Sequence, residues 1–368
     1  MIRNINSKNI MSMRKSFCTL TLLLFAVSGI TMIHAQEERH WFESGAWRRP
    51  QPNPRAEILP LISVQGNSFV NPEGDTILFR GLSISDPDKI EVQGHWNKEH
   101  FDHVKATGAQ IVRIPVHPVA WRERTAAGYL ELLDSAVTWC TDLGLYVMID
   151  WHSIGNLGME LFQNPMYNTS RQETYRFWRT IANHFKGHHT VAFYEIFNEP
   201  TIYRGQLGTM SWTEWKRINE NIIKLIRAFD SETIPLVAGF DWAYDLTPLH
   251  TDPLDAEGIG YVSHPYEHKR RPPWEPKWEE AFGFAKSKYP VVVTEFGFGL
   301  RRGQTLESDH YAYHIIDYLE GKGISWICWV YDPEWGPRML KSWDTYELTE
   351  SGAFFKEAMH GRLEVQND

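Results

Sequence analysis

Eight short runs, nearly continuous in apolar residues and rich in Val and Ile, recur at residues 77–84, 110–116, 146–150, 191–197, 234–240, 260–263, 291–295 and 324–330. A strand that is apolar at every position, rather than at every second one, is buried on both faces. That is the mark of a parallel sheet covered by helices. Amphipathic segments fall between most of the runs. Residues 130–143 carry apolar side chains at helical spacing and stop at Gly144; residues 171–185 follow Asn168-Thr-Ser170, a good cap, and end at Gly187. Residues 211–229 open with Ser-x-x-Glu, a capping box, and residues 309–319 stop at Gly321. Eight strand–helix units close into a (β/α)8 TIM barrel, an α/β architecture that uses about 250 residues as one domain. The fifth connection, residues 242–257, lacks a convincing helical pattern. Ahead of the first inner strand, residues 61–64 and 68–70 flank Gln65-Gly-Asn67, which predicts a short N-terminal β-hairpin.

Of the 368 residues, 37 are Lys or Arg and 46 are Asp or Glu, a formal net charge of −9. That balance argues against nucleic acid or an anionic membrane as a partner, since either selects a basic face. The chain also holds 16 Trp, a residue costly to expose and well suited as a flat platform for the apolar faces of sugars. Arg14 and Lys15 precede an apolar stretch, residues 17–33, and Ala35 stands before Gln36. This is the pattern of a signal peptide over residues 1–35, cleaved near Ala35, and of a secreted or periplasmic protein without a later membrane attachment. Met11 and Met13 are alternative starts, and an uncleaved anchor is the alternative reading of the stretch. Residues 36–56, with Pro50, Pro52 and Pro54, read as a polar tail, residues 57–362 as the catalytic barrel and 363–368 as a C-terminal tail. Beyond Cys18 in the signal, Cys140 and Cys328 fall in a helical and a strand pattern, and are expected as unpaired buried thiols.

Barrel enzymes carry their chemistry at the carboxyl ends of the strands. Those ends supply Arg80, Arg113 with His117, His152, Asn198 with Glu199, Trp242, His264 with Tyr266, Glu295, and Trp329. A carboxyl just past a buried run is costly unless it has work to do, and Glu199 and Glu295 both sit there. Two opposed carboxyls are the minimum equipment for cleaving a glycosidic bond, one protonating the leaving oxygen and the other attacking or activating water. A pair about 5–5.5 Å apart retains configuration. Their mutual repulsion raises one pKa, so that the acid keeps its proton while the other stays ionised. Plainer readings stand beside these. A lone Glu at a strand end commonly forms a loop salt bridge, Arg113 can serve barrel stability alone, and Trp329 can be plain core. His117, His152 and His264 together suggest a metal-dependent barrel; against it, no His-x-His follows the first strand and no lysine or further Asp set occupies the later ends. No metal and no cofactor is expected. Asn168-Thr-Ser170 fits a glycosylation sequon as well as a helix cap, and Trp274, Trp278 and Trp335 are either further sugar platforms or core.

Arg113-Ile-Pro, Asp150-Trp-His152, Asn198-Glu199-Pro200, His264-Pro-Tyr266, Thr294-Glu-Phe-Gly297 and Trp329 occur in this order, and with them the chain resembles glycoside hydrolase family 5 over residues 59–359. One Asn-Glu-Pro is weak evidence; six motifs in order are strong. The resemblance implies a (β/α)8 barrel with catalytic glutamates on strands four and seven. It implies Glu199 as general acid/base, Asn198 as partner of the sugar 2-hydroxyl, and Glu295 as nucleophile oriented by Arg113 and Tyr266. His152 and His264 would line the cleaved subsite, and Trp329 would be the floor under a sugar. His117 and Trp242 lie where the family often lines its cleft. The activity so implied is retaining, endo-acting hydrolysis of β-1,4 bonds in a plant-type polysaccharide, with a cellulase (endo-β-1,4-glucanase) the first choice. A β-mannanase or xyloglucanase of the same family and a barrel that only binds glycan are the alternatives.

Overall fold

The computed structural model describes residues 59–201, 207–300 and 304–363. The signal peptide and polar tail expected over residues 1–56 lie outside the described residues, as do residues 364–368. Eight parallel strands close a barrel: β1 (Arg80–Ile84), β2 (Ile111–Val116), β3 (Tyr146–Trp151), β4 (Val191–Glu195), β5 (Ile234–Ala238), β6 (Gly260–Ser263), β7 (Val291–Val293) and β8 (Ser325–Tyr331). Each pairs with its sequence neighbours, and β8 pairs with β1 to complete the ring. This is the predicted (β/α)8 architecture. The strands at Ser63–Gln65 and Ser68–Val70 pair antiparallel ahead of it, with Gly66 at φ +61° in the turn, a conformation glycine adopts without steric cost.

The two-residue period of the strands divides their side chains between two apolar clusters. Val112, Ile114, Val147, Ile149 and Tyr194 face outward and join the large cluster under the helices. Ile111, Met148, Phe193, Val262, Val292 and Ile327 face inward and join a second cluster with Phe69 of the hairpin. One step further along the same inward faces come Arg113, Asp150, Glu195, His264, Thr294 and Trp329, all buried. The barrel interior is therefore layered, apolar near the strand starts and polar near their carboxyl ends. At Gly81 a Cβ would lie 2.3 Å from the Ile111 carbonyl, so β1 and β2 approach more closely there than any side chain allows.

The helices form for local reasons. The Arg171–Phe185 helix begins at Ser170, whose hydroxyl accepts from the Glu173 backbone N–H at 3.0 Å, and buries Thr174, Phe177, Trp178, Ile181 and Phe185 along one stripe. Phe177 stacks on Trp151 of β3 at 4.0 Å; burying such a side chain contributes about 2 kcal/mol. The Trp212–Arg227 helix opens on the expected cap, Ser211 accepting from Glu214 N–H at 3.1 Å. Three details differ from expectation. The Pro118–Leu143 helix starts well before residue 130, because Thr125, at φ +67°, kinks it and breaks the apolar period. The Tyr311–Lys322 helix stops at Gly323, left-handed at φ +63°, rather than at Gly321. Arg80 stands at the start of β1, not at its carboxyl end, and pairs with Glu320 at 2.7 Å. Cys140 and Cys328 are buried and free. Trp274 and Trp278 belong to the core, while Trp335 faces the cleft.

Candidate active site

A cleft of about 1230 Å³ opens over the carboxyl ends of the strands. Its lining includes Glu199, Glu295, Asn198, His117, His152, Tyr266, Trp242 and Trp329, eight of the ten residues that the family resemblance points to. The other two, Arg113 and His264, lie beneath its floor with no exposed surface. His264 thus supports the cleft rather than lining it. The volume exceeds that of a pocket built for one small ligand and leaves room for several sugar rings.

One oxygen from each of Glu199 and Glu295 and one His264 nitrogen lie within 4.8 Å of one another. These donors could hold a metal, yet each is already engaged. His264 Nδ1 is 3.0 Å from Glu199 Oε1, and Glu295 accepts from Arg113 Nη1 at 2.8 Å and from the Tyr266 hydroxyl at 3.0 Å. Among the described residues Glu199 Oε2 has no hydrogen-bond partner.

Arg113 organises the floor. Its Nε donates to Glu195 Oε2 at 2.6 Å and its Nη2 to Asn198 Oδ1 at 2.7 Å, while Asp150 Oδ2 lies 2.9 Å from Nη2. Five donors in a rigid fork serve four acceptors, which an ammonium could not do. Asn198 Oδ1 is thereby occupied, and its buried Nδ2 has no partner among the described residues. That donor is available to a ligand in the cleft.

Each histidine is held by a deep carboxylate. His152 Nδ1 contacts Asp150 Oδ2 at 2.6 Å and its ring lies parallel to Trp329 at 5.3 Å. Burial, then the charges of His117 and Arg113, keeps His152 well below its usual range, so it is neutral and Nδ1–H donates to Asp150. His117 Nδ1 meets Asp86 Oδ2 at 2.8 Å. His264 behaves in the opposite sense. Burial opposes its charge, but Glu295 and the contacts to Glu195 and Glu199 overcome this and raise it to about 9. Burial also raises Glu295, with Arg113 and then His264 pulling it back down. The carboxyl expected to be raised is the acid, read as Glu199; the one raised here is instead Glu295, expected to be held ionised, and burial rather than repulsion is its first cause.

Several residues of the site escaped the sequence reading. Glu195 and Asp86 sit below the cleft, with Thr294, read in the sequence only as part of a motif, and Gln163, Tyr167 and Lys269 line it. Glu195 was detectable in principle, because it falls two residues after Phe193 on the inward face of β4 and a carboxyl there demands a cation.

A family model described as cellulase (glycosyl hydrolase family 5) matches residues 70–334. The chain belongs to glycosyl hydrolase family 5. Its family relatives include an endoglucanase of Clostridium saccharobutylicum, 26% identical over 321 residues, which are 82% of this chain and 65% of that protein. Endoglucanase E-5 of Thermobifida fusca is 27% identical over 291 residues, 74% of this chain and 56% of that one. The chain thus spans less than two thirds of either relative's length. Among solved family 5 structures, the β-glucanase SdGluc5_26A of Saccharophagus degradans is 40% identical with a TM-score of 0.81, over 88% of this chain and 99% of that one. The same β-glucanase has been solved in complex with cellotetraose.

Proposed function

We propose that this family 5 chain is a retaining, endo-acting glycoside hydrolase that cleaves internal β-1,4 bonds of a plant-type β-glucan, an endo-β-1,4-glucanase. The observation that carries the reading is the approach of Glu199 and Glu295 to within 4.8 Å across one cleft, since inverting pairs stand about 6.5–9.5 Å apart to admit a water. Glu295 attacks the anomeric carbon as Glu199 gives its proton to the departing oxygen. Water then attacks the glycosyl–Glu295 ester and gives a proton back to Glu199, restoring both carboxyls. The Asn198 Nδ2 donor meets the sugar 2-hydroxyl, and Trp329 carries a ring face. Glucan is preferred over mannan because a β-glucanase 40% identical to this chain binds cellotetraose in its crystals.

A panel of carboxymethyl cellulose, mixed-linkage glucan, xyloglucan and β-mannan with product sizing tests the substrate. A spread of β-configured oligosaccharides from the glucans is expected; cleavage of mannan alone, or α products, would overturn it. Glu295→Ala should abolish turnover on every substrate. Residues 1–35 are further read as a signal peptide and 57–362 as the catalytic domain of a secreted or periplasmic enzyme. N-terminal sequencing of the exported protein should begin near Gln36.

A further inference from the structure

Glu195 is fully buried and does not reach the cleft, yet it touches the support of both cleft glutamates. Its Oε2 accepts from Arg113 Nε, whose Nη1 donates to Glu295. Its Oε1 accepts from the Thr294 hydroxyl at 2.9 Å. A hydroxyl has one hydrogen to give, and Thr294 commits it to Glu195. His264 Nε2, 2.9 Å from Thr294 Oγ1 and 3.5 Å from Glu195 Oε1, must then be the donor in that contact. Both neighbours of Nε2 are acceptors, so Nε2 carries a hydrogen. On the other side of the ring, Nδ1 faces Glu199 Oε1 at 3.0 Å and Glu295 Oε2 at 3.9 Å. The imidazole is therefore surrounded by acceptors at both nitrogens.

We propose that Glu195, with Thr294, is a positioning residue for the acid/base step: it keeps a hydrogen on both nitrogens of His264, so that Nδ1–H occupies Glu199 Oε1 and the transferable proton sits on Glu199 Oε2. The inference rests on reading Glu199 as the acid/base. Oε2 is the oxygen without a hydrogen-bond partner among the described residues, and Glu199 lines the cleft. In the first half-reaction the Oε2 proton passes to the glycosidic oxygen; in the second, water returns one proton to Oε2 as it attacks the anomeric carbon. His264 keeps both of its protons throughout and gives Glu199 a donor when it becomes a carboxylate. The charged groups that face the Glu195–His264 pair are Arg113 from β2, Asp150 from β3, Glu199 after β4 and Glu295 after β7. Glu195→Gln removes one anion from this set. His264 then drops its Nδ1 hydrogen, and the Glu199 proton is drawn to Oε1, away from the cleft.

The test compares wild type, Glu195→Gln, Thr294→Val and Glu199→Ala on a soluble glucan and on a dinitrophenyl cellobioside, whose leaving group needs no protonation. Glu195→Gln is expected to lower kcat on the glucan by about 10–100-fold, the range of a weakened general acid, with KM nearly unchanged and the aryl glycoside within about threefold. Thr294→Val, which keeps the Arg113–Glu195 ion pair and so the fold, should show the same pattern to a smaller extent, lowering kcat on the glucan and sparing the aryl glycoside. Nitrogen-15 spectra of histidine-labelled enzyme, with His264 assigned by its loss in His264→Asn, should show both His264 nitrogens protonated at pH 7, and one proton lost in Glu195→Gln. A His264 protonated on one nitrogen in wild type overturns the proposal. Equal loss on both substrates in Glu195→Gln and Thr294→Val, with Glu199→Ala still discriminating between them, also overturns it. If Glu199→Ala slows both equally, the acid/base reading itself falls.

Discussion

Arg113 shows how much one side chain can be asked to do. It has no exposed surface and contacts Asp150, Glu195, Asn198 and Glu295 within 2.9 Å. Removing part of such a network strands buried carboxylates, at a cost of about 3–5 kcal/mol. Arg113→Lys keeps the charge and loses the fork, so it separates charge from geometry. The variant is expected to unfold several degrees lower by calorimetry and to lose at least about 100-fold in kcat, because Glu295 and Asn198 are no longer aimed. Near-normal turnover would mean that a point charge suffices. The role of Arg113 was legible in the sequence only as a resemblance. That it is shared among four acceptors was not, because those acceptors come from three other strands and their loops.

At the scale of elements, runs of Val and Ile announced the strands, and the layering inside them follows from the two-residue period. What period cannot reveal is a turn built from the wrong residues. Asp241, Trp242 and Ala243 all adopt left-handed φ, at 57°, 55° and 60°. None is glycine, so nothing in the sequence marks the turn, and each residue costs about 1–2 kcal/mol in that region. Lys269 holds it: Nζ donates to the Asp241 carbonyl at 2.8 Å and lies 5.2 Å over the Trp242 ring. Arg270 adds an ion pair to Asp241 at 3.2 Å. The turn presents Trp242 to the cleft, where its Nε1 donates to Gln163 at 2.9 Å, and the Ala243 carbonyl accepts from the His264 backbone N–H. Lys269→Met keeps the apolar stem and removes the clamp. The expected result is a KM for long glucan chains raised about 3–10-fold with kcat within about threefold, the pattern of lost ground-state binding. A change confined to kcat would place Lys269 with the chemistry instead.

For the whole molecule, the polar layer makes stability depend on pH in two directions. Glu195 is held at about 2 against an ordinary 4.5; burial opposes this, but Arg113 and the His264 contact prevail. A carboxyl depressed by folding stabilises fully above its unfolded value and loses that contribution as pH falls towards its folded one. His264, raised to about 9 against an ordinary 6.5, stabilises fully below 6.5 and loses its contribution as pH rises through 9. Both contributions are intact only between 4.5 and 6.5. Asp150 and Glu295, raised by burial, act against Glu195 on the acid side, so the raw curve mixes opposing signs. The difference between wild type and Glu195→Gln isolates the one carboxyl. Measured by denaturant unfolding, that difference should be constant near pH 5 and shrink steadily towards pH 2. A difference that does not change over this range would mean that folding leaves the Glu195 carboxyl unshifted, and one that moves in favour of wild type towards acid would mean that Glu195 is neutral in the folded barrel; in either case the charge balance drawn around Arg113 and His264 would have to be redrawn.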